Sequence, residues 1–343
     1  MNATNMQFKR VAIDISKSVF TIHAVDDQER AVVQRDLSRS QFVSYFAKLP
    51  ATLVVMEACG GAHHWGRVLA SLGHEVKLIA PQYVKPFVKR TKNDRNDAEG
   101  ISEAASRPAM RFVPVRSAQS QADSLILSGR QILIEQRTAI TNSLRGNAAE
   151  FGIVVAKGLV RVGKLLELIE ADPELPVTAK VSLARLGRHV EYIDQQIAEI
   201  DHTLAELQKT NPVSQLLSQI PGIGPISSMT LALHVDAKQF KSGRHFSAWL
   251  GLTPKQHSSG GKVRLGGISK AGNERIRQLL VVGATTVIRH AIHGGKAATP
   301  WLLSLLERRP RKLAAVALAN KMARIAWAMM TSGEVYRHPV RTT

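Results

Sequence analysis

Two apolar, β-branched runs near the N-terminus each carry a carboxylate where a buried strand is normally apolar throughout. The first is Val-Ala-Ile-Asp14-Ile and the second Leu-Val-Val-Met-Glu57. Such runs read as strands buried on both faces. An ionised acid there is costly unless something compensates it. A further pair, Asp94 and Asp97, follows in Lys92-Asn93-Asp94-Arg95-Asn96-Asp97-Ala98-Glu99. Residues three apart share one face of a helix. By itself such a pair among Lys and Arg is an ordinary solvated face. With two strand-borne acids in the same region, the four read better as one cluster. Carboxylates brought together repel by about 4 kcal/mol per close pair at a mid-range dielectric. A divalent cation relieves that repulsion, and oxygen-only ligands point to Mg²⁺ or Mn²⁺.

The surrounding pattern sets the architecture. Residues 11–106 read as α/β, with strands over Val11–Ser16, Val19–Asp26 and Ala31–Leu37. A helix follows from Gln41 to Lys48, with Ser40 as its N-cap. Thr52–Ala58 is a fourth strand, Ala62–Leu72 a helix and Val76–Ala80 a fifth strand. Pro81–Lys89 and Asp94–Ser106 read as helices. This order of elements resembles the ribonuclease H-like fold, in which the first and fourth strands are neighbours. Asp14 and Glu57 would then lie side by side, and a helix bearing Asp94 and Asp97 could close over them.

Residues 118–210 change character. Ala122 to Glu150 and Val177 to Gln208 carry apolar residues at helical spacing, separated by Pro173 and Pro176. A helical hairpin or coiled coil is expected. It serves either packing within the chain or dimerisation. Residues 214–332 form a third, helical region that opens with Ile220-Pro221-Gly222-Ile223-Gly224-Pro225. This resembles the turn of helix-hairpin-helix DNA-binding modules, where Gly222 and Gly224 would let backbone N–H groups face a phosphate. Any tight turn between two helices can look the same.

Charge decides the class of partner. The chain has 46 Lys and Arg against 27 Asp and Glu, a net charge of +19. From Lys238 onward there are 19 basic residues and three acids, Glu274, Glu307 and Glu334. A folded region so basic is built for a polyanion. Cys59 is the one cysteine, which leaves no disulfide framework and no cysteine-based zinc cluster. The first residues lack a signal-peptide pattern, and no membrane span is expected. A cytoplasmic protein is the expectation.

Within the basic region, Lys255-Gln256-His257-Ser258-Ser259-Gly260-Gly261-Lys262-Val263-Arg264 leads through Ile268-Ser269-Lys270-Ala271-Gly272-Asn273. The glycines allow close backbone approach, and Lys255, Lys262, Arg264 and Lys270 can neutralise phosphates. A serine here is either a nucleophile on a phosphodiester or one part of a phosphate clamp. His257 is either a general base or a phosphate contact.

Taken together, these residues resemble the DEDD transposases of bacterial insertion sequences. That family is also known as bridge-RNA-guided recombinases and is related to the Piv DNA invertases. The resemblance runs from Asp14 to about Met330. Its most specific parts are Lys92-Asn-Asp-Arg-Asn-Asp-Ala, Ile220-Pro-Gly-Ile-Gly-Pro, Gly251-Leu-Thr-Pro, Ser258-Ser-Gly-Gly-Lys and Ile268-Ser-Lys-Ala-Gly-Asn. One departure is Ala12, where the family often has glycine.

The resemblance implies a RuvC-like, ribonuclease H-like catalytic domain over 8–110. It implies a helical coiled-coil linker that dimerises over 118–210, and a mainly helical C-terminal transposase domain over 211–335. Asp14, Glu57, Asp94 and Asp97 would be the metal-binding tetrad with Mg²⁺ or Mn²⁺, and Ser259 the nucleophile, with Ser258 its neighbour. The implied partners are donor and target double-stranded DNA, a structured noncoding guide RNA, and further copies of the chain, a dimer assembling to a tetramer. The setting would be the bacterial cytoplasm at the nucleoid. Two other readings fit the residues. One is a RuvC-like nuclease or junction resolvase that forms no covalent intermediate. The other is a non-enzymatic nucleic-acid-binding protein whose acids are structural.

Overall fold

The parity of side chains along the central strands decides where everything else packs. The computed structural model describes residues 7–89, 93–158, 161–258, 260–295 and 298–337. They fall into two compact units, 1–122 and 123–343.

In the first unit, β1 (Arg10–Ile15), β2 (Val19–Val25) and β3 (Ala31–Ser38) form an antiparallel meander, followed by α1 (Arg39–Phe46). Then come β4 (Leu53–Glu57), α2 (Ala62–Ser71), β5 (Glu75–Ile79), α3 (Pro81–Val84) and α4 (Asp94–Ala105). A short β6 (Phe112–Val113) follows. The six strands form one sheet in the order β3-β2-β1-β4-β5-β6, with β1, β4 and β5 parallel to one another. The first and fourth strands are neighbours, as the order of elements predicts.

One face of the sheet presents Val11, Ile13, Val54, Met56 and Leu78 to Phe42 and Phe46 of α1 and to Trp65 and Leu69 of α2. The rings of Phe20, Phe42, Phe46 and Trp65 stack edge to face or tilted at centroid separations between 4.5 and 5.0 Å. The other face presents Ala12, Val55 and Ile79 to Val84, Ile101 and Ala104. Because side chains alternate along a strand, Asp14 and Glu57 share that second face, which α4 covers. Ala12, where the resemblance leads one to expect glycine, is fully buried there, so a methyl group fits beneath α4.

Local signals explain most boundaries. Ser38, not Ser40, begins α1. Gln41 Oε1 accepts from the Ser38 backbone N–H at 3.1 Å and from its hydroxyl at 2.9 Å, a capping box. Pro81–Lys89 is not one helix. A four-residue turn of helix passes into a 3₁₀ turn at Lys85–Phe87, where Pro86 removes a donor. Buried Arg10 fastens α4 to β1: its Nε donates to Ser102 Oγ at 3.0 Å, and its other guanidinium nitrogens bind Glu29. Gly100 permits the close approach of α4 to Val88, since a Cβ there would meet Val88 Cγ2 at 2.9 Å.

In the second unit α5 (Ala118–Ala149), whose first residues belong to the first unit, runs into α6 (Val162–Ala171) and α7 (Val177–Thr210). The two long helices begin and end within a few residues of the positions their apolar spacing implies, and α6 is an addition. Leu144, Ala148, Val162, Leu165, Ile169, Leu183 and Val190 form their shared core. Arg130 pairs with Asp201 and Arg137 with Asp194. The pairs are one heptad apart on each helix and run in opposite directions, so α5 and α7 pair antiparallel within the chain.

A second core gathers α8 (Pro212–Ser218), α9 (Pro225–His234), α10 (Gly243–Trp249), α11 (Glu274–Ile292), α12 (Pro300–Arg308) and α13 (Arg311–Ser332). The two-stranded ribbon of β7 (Pro254–Gln256) and β8 (Leu265–Ile268) projects between α10 and α11 in sequence. Among the described residues α13 alone is long and apolar enough to cross a membrane. Its Ala314, Ala315, Ala319, Met322, Ala323, Ala326 and Met329 are buried in this core.

Two glycines in helices make opposite predictions. A Cβ on Gly283 of α11 would lie 2.0 Å from the Gly222 carbonyl oxygen, whereas nothing lies within 4 Å of one on Gly129 of α5. In urea denaturation Gly129→Ala should stabilise the protein by about 0.5–1 kcal/mol, the helix-propensity gain. Gly283→Ala should destabilise it by about 1–3 kcal/mol, as overpacking does.

Candidate active site

The acids meet at the carboxyl ends of β1 and β4, the place where open α/β sheets most often bind ligands. The parallel register pairs Ile13 with Met56, which puts Asp14 and Glu57 in the next row. Asn93 caps α4 by accepting from the Asn96 backbone N–H at 2.8 Å. That cap places Asp94 and Asp97 in the first turn. There the positive end of the helix dipole stabilises each carboxylate by about 0.3–1 kcal/mol. Oxygens of Asp14, Asp94 and Asp97 all lie within 4.8 Å of one another. Glu57 is outside that group of three but acts on Asp14 through its charge.

Asp14 registers the crowding. Its carboxyl is pushed up from 3.8 to about 6, first by burial and then by the charges of Asp97, Asp94 and Glu57. Three carboxylates gathered this closely, with no cation among the causes acting on Asp14, form a donor set suited to a hard divalent ion. Cys59, two residues beyond Glu57, also senses the site. Burial, then Glu57 and Asp14, raise its thiol above the usual range. Nothing in its sequence context singled it out. A second unforeseen feature is the anchor behind α2. His63 Nδ1 accepts from the Arg116 backbone N–H at 3.2 Å, and Arg67 donates to the Arg116 carbonyl at 2.9 Å. It ties the chain beyond β6 to the helix that follows Glu57.

The basic constellation lies on the β7–β8 ribbon. The base of the ribbon is fixed. A Cβ on Gly272 would fall 1.9 Å from the Trp249 carbonyl oxygen, and one on Gly251 would fall 2.3 Å from the Ala271 nitrogen. Buried Arg277 donates to the carbonyls of Leu250 and Ala271 at 3.0 and 2.8 Å. The tip is exposed, including Lys255, His257, Ser258, Lys262 and Arg264. Ser258 Oγ accepts from the Arg264 backbone N–H at 3.2 Å, and the His257 N–H donates to the Arg264 carbonyl at 2.9 Å. Lys270 is exposed and in the left-handed region, φ 56°. Ser259 and Lys92 lie outside the described residues.

Gly222 and Gly224 occupy the turn between α8 and α9. Gly222 has φ 88°, and a Cβ on it would meet the Gly283 carbonyl at 2.8 Å, so packing against α11 already demands glycine there. Gly224 is the N-cap of α9 and has open space beside it.

Comparison with known proteins now defines the class. Residues 11–151 match the DEDD transposase model of IS110 elements, and residues 214–299 match the model described as transposase IS116/IS110/IS902 family. A putative transposase, y4pF/y4sB, of Sinorhizobium fredii is 51% identical over 333 residues, covering 96% of this chain and 86% of the relative. A probable family 20 transposase of Pseudomonas aeruginosa is 45% identical over 336 residues, 97% and 99% of the two chains. The transposase for insertion sequence element IS1111A of Coxiella burnetii is 41% identical over 332 residues, 96% and 91%. These likenesses, spanning nearly whole chains, are those of an enzyme that transposes DNA. The chain belongs to the IS110/IS116/IS902 family of insertion-sequence transposases. A DEDD family implies a divalent metal, and the three gathered aspartates fit one.

The raised Asp14 carboxyl has a thermodynamic consequence. Between pH 3.8 and about 6 the folded protein holds more protons than the unfolded chain, so metal-free stability falls as pH rises through that window. Discounted for partial exposure, the loss is about 1–2 kcal/mol. Asp14→Asn should remove this dependence and be the more stable protein at pH 8 without metal. Thermal melts in chelator at pH 4.5 and pH 8 check it.

Proposed function

We propose that the chain is a guided DNA recombinase that cuts and rejoins strands through a phosphoserine link. The observation that carries this reading is the convergence of Asp14, Asp94 and Asp97 under the cap of α4, with Glu57 in the next strand. The tetrad would belong to a ribonuclease H-like, RuvC-like domain over residues 8–110. A divalent cation, Mg²⁺ or Mn²⁺, held there supplies Lewis-acid polarisation of the scissile phosphate.

Ser259 is the proposed nucleophile. Its Oγ forms a bond to phosphorus as the phosphorus–oxygen bond to the sugar breaks, and the departing oxygen leaves as a hydroxyl carrying the serine's proton. That hydroxyl, presented to the phosphoserine of the partner strand, reverses the step and restores the serine. Gly260 and Gly261, both with positive φ, let the backbone approach a phosphate closely. Lys255, Lys262, Arg264 and Lys270 neutralise neighbouring phosphates, and the Gly222–Gly224 turn offers backbone N–H groups in the manner of a helix-hairpin-helix module.

Sequence choice would come from base pairing with a structured noncoding RNA, while the protein holds backbone and shape. The net charge of +19 supports contact with a long polyanion. Residues 118–210 would act as the dimerising linker and residues 211–335 as the transposase domain. Leu125 and Ile132, a heptad apart on α5, are 64% and 53% exposed and offer a second subunit an apolar stripe. Two duplexes cut together call for a tetramer built from dimers. The setting is the cytoplasm, at the nucleoid.

Denaturing gels of the protein with labelled DNA test the chemistry. Wild type should give a covalent adduct that needs a divalent metal. Ser259→Ala should bind DNA yet give no adduct, Ser258→Ala should be milder, and Asp97→Asn should abolish strand exchange while remaining folded. Cleavage that releases free ends without any adduct would instead identify a hydrolytic nuclease. Six or more phosphate contacts predict a fall in DNA affinity of about 10³-fold between 50 and 200 mM salt. A flat salt response would overturn the clamp formed by Arg264 and Lys270.

A further inference from the structure

Trp301, at the start of α12, stands between two hollows that differ in chemistry. On one side is a cavity of about 320 Å³, mostly apolar, walled by Pro221, Val287, Leu302, Met329 and Tyr336. On the other is a groove of about 770 Å³ that runs along α13 to the N-terminus of α10 and carries Arg244, Asn320 and Arg324. Trp301, Lys321, Ile325 and Ala328 line both. The cavity is at the lower end of the size range for small organic ligands.

The groove is cationic without compensation. Among the described residues none of Arg244, Lys321 and Arg324 makes an ion pair. Lys321 Nζ lies 4.2 Å from the centroid of the Trp301 ring, and burial followed by the Arg324 charge holds it below the usual lysine range. The acid on the cavity rim, Glu334, is engaged by Arg337 at 3.4 Å. The floor is kept low by Ala317, Ala328 and Gly243. Gly243 is buried against the Arg324 backbone, where a Cβ would be 3.0 Å from its carbonyl oxygen. Trp301 itself is 39% exposed, which leaves part of its ring open to a ligand.

We propose that this pair of hollows binds one unpaired nucleotide, its base in the apolar cavity against Trp301 and its flanking phosphates in the groove on Arg244, Lys321 and Arg324. An apolar slot beside unpaired cations matches a flat, uncharged ring attached to an anionic backbone. It does not match an acidic peptide, which brings charge without the ring. Base stacking on an exposed aromatic is the standard means of holding single strands, and a base drawn out of a duplex is likewise held against aromatic and apolar side chains. The inference rests on the recombinase reading, in which strands must part before they are exchanged. The nucleotide comes either from the displaced DNA strand or from an unpaired stretch of guide RNA, and both present the same chemistry here.

The test is fluorescence anisotropy of the full chain with labelled single-stranded DNA, single-stranded RNA and blunt duplex DNA of one sequence. Trp301→Ala should weaken binding to one or both single strands about tenfold and leave the duplex unchanged, and Trp301→Phe should restore most of the loss. A loss on DNA alone identifies the displaced strand, a loss on RNA alone identifies the guide, and either supports the site. Arg324→Gln, an exposed position that leaves the core untouched, should lower single-strand affinity and reduce the salt slope by about one. No loss on either single strand, or an equal loss on the duplex, overturns the proposal. Adduct formation by the wild type is scored on its own. If it fails, the recombinase reading falls. If it holds while Trp301→Ala binds normally, only this site falls.

Discussion

Carboxylates on the helix-covered face of a central sheet repel one another and shed water at the same time, and the first unit is organised around that conflict. Asp14 pays for both effects, since burial raises its carboxyl and three neighbouring acids raise it further, to about 6. The fold tolerates this because the rest of the unit is strongly held. The aromatic cluster of Phe20, Phe42, Phe46 and Trp65 packs the opposite face, and Arg10 binds α4 to β1 through Ser102. The frustration is thus confined to the acid end of one face, whose remaining length is packed by Ala12, Val55, Ile79 and Ile101 and fastened by Arg10. A divalent ion bound among these carboxylates would relieve that frustration.

Much of this was legible from residues alone because alternation and helical spacing are local signals. Val-Ala-Ile-Asp14 and Val-Val-Met-Glu57 imply strands, and Asp94 with Asp97 imply one face of a helix. Strand parity then puts Asp14 and Glu57 on the same side once β1 and β4 are neighbours, and the register makes them so. What could not be read was set by contacts distant in sequence. Strand β6 is two residues long and exists because β5 offers an edge. The capping box chose Ser38 over Ser40 because Gln41 reaches back to it, a choice between two serines that spacing cannot make. The difference between Glu57 and the three aspartates is one of distance, and only coordinates express it.

The glycines of the second unit show how one residue type answers to different demands. Gly222 and Gly224 look alike in the sequence, and both suit a backbone that faces phosphate. Gly222 meets α11 at its own glycine, Gly283, so its lack of a side chain is explained by packing before any ligand is considered. Gly224 has open space beside it, and a contact with phosphate remains available there. The same division runs through the ribbon. Gly251 and Gly272 are locked against backbone, while Gly260 and Gly261 have nothing within 4 Å. The base of the ribbon is thus fixed by packing, while neighbours place no such constraint on Gly260 and Gly261.

Charge and packing are divided among the helices of the second unit by the same logic. The buried stripe of α13 is built from alanine and methionine, and the core helices approach closely along it. The neighbouring stripe of the same helix carries Asn320, Lys321 and Arg324 into the groove. Small buried residues keep the helix near the core, and beside them Lys321 lies over the Trp301 ring at 4.2 Å while Arg324 is exposed. A cation held as Lys321 is loses less side-chain freedom on meeting an anion. Such an arrangement would suit contact with a DNA backbone, whose charge is the same in every sequence.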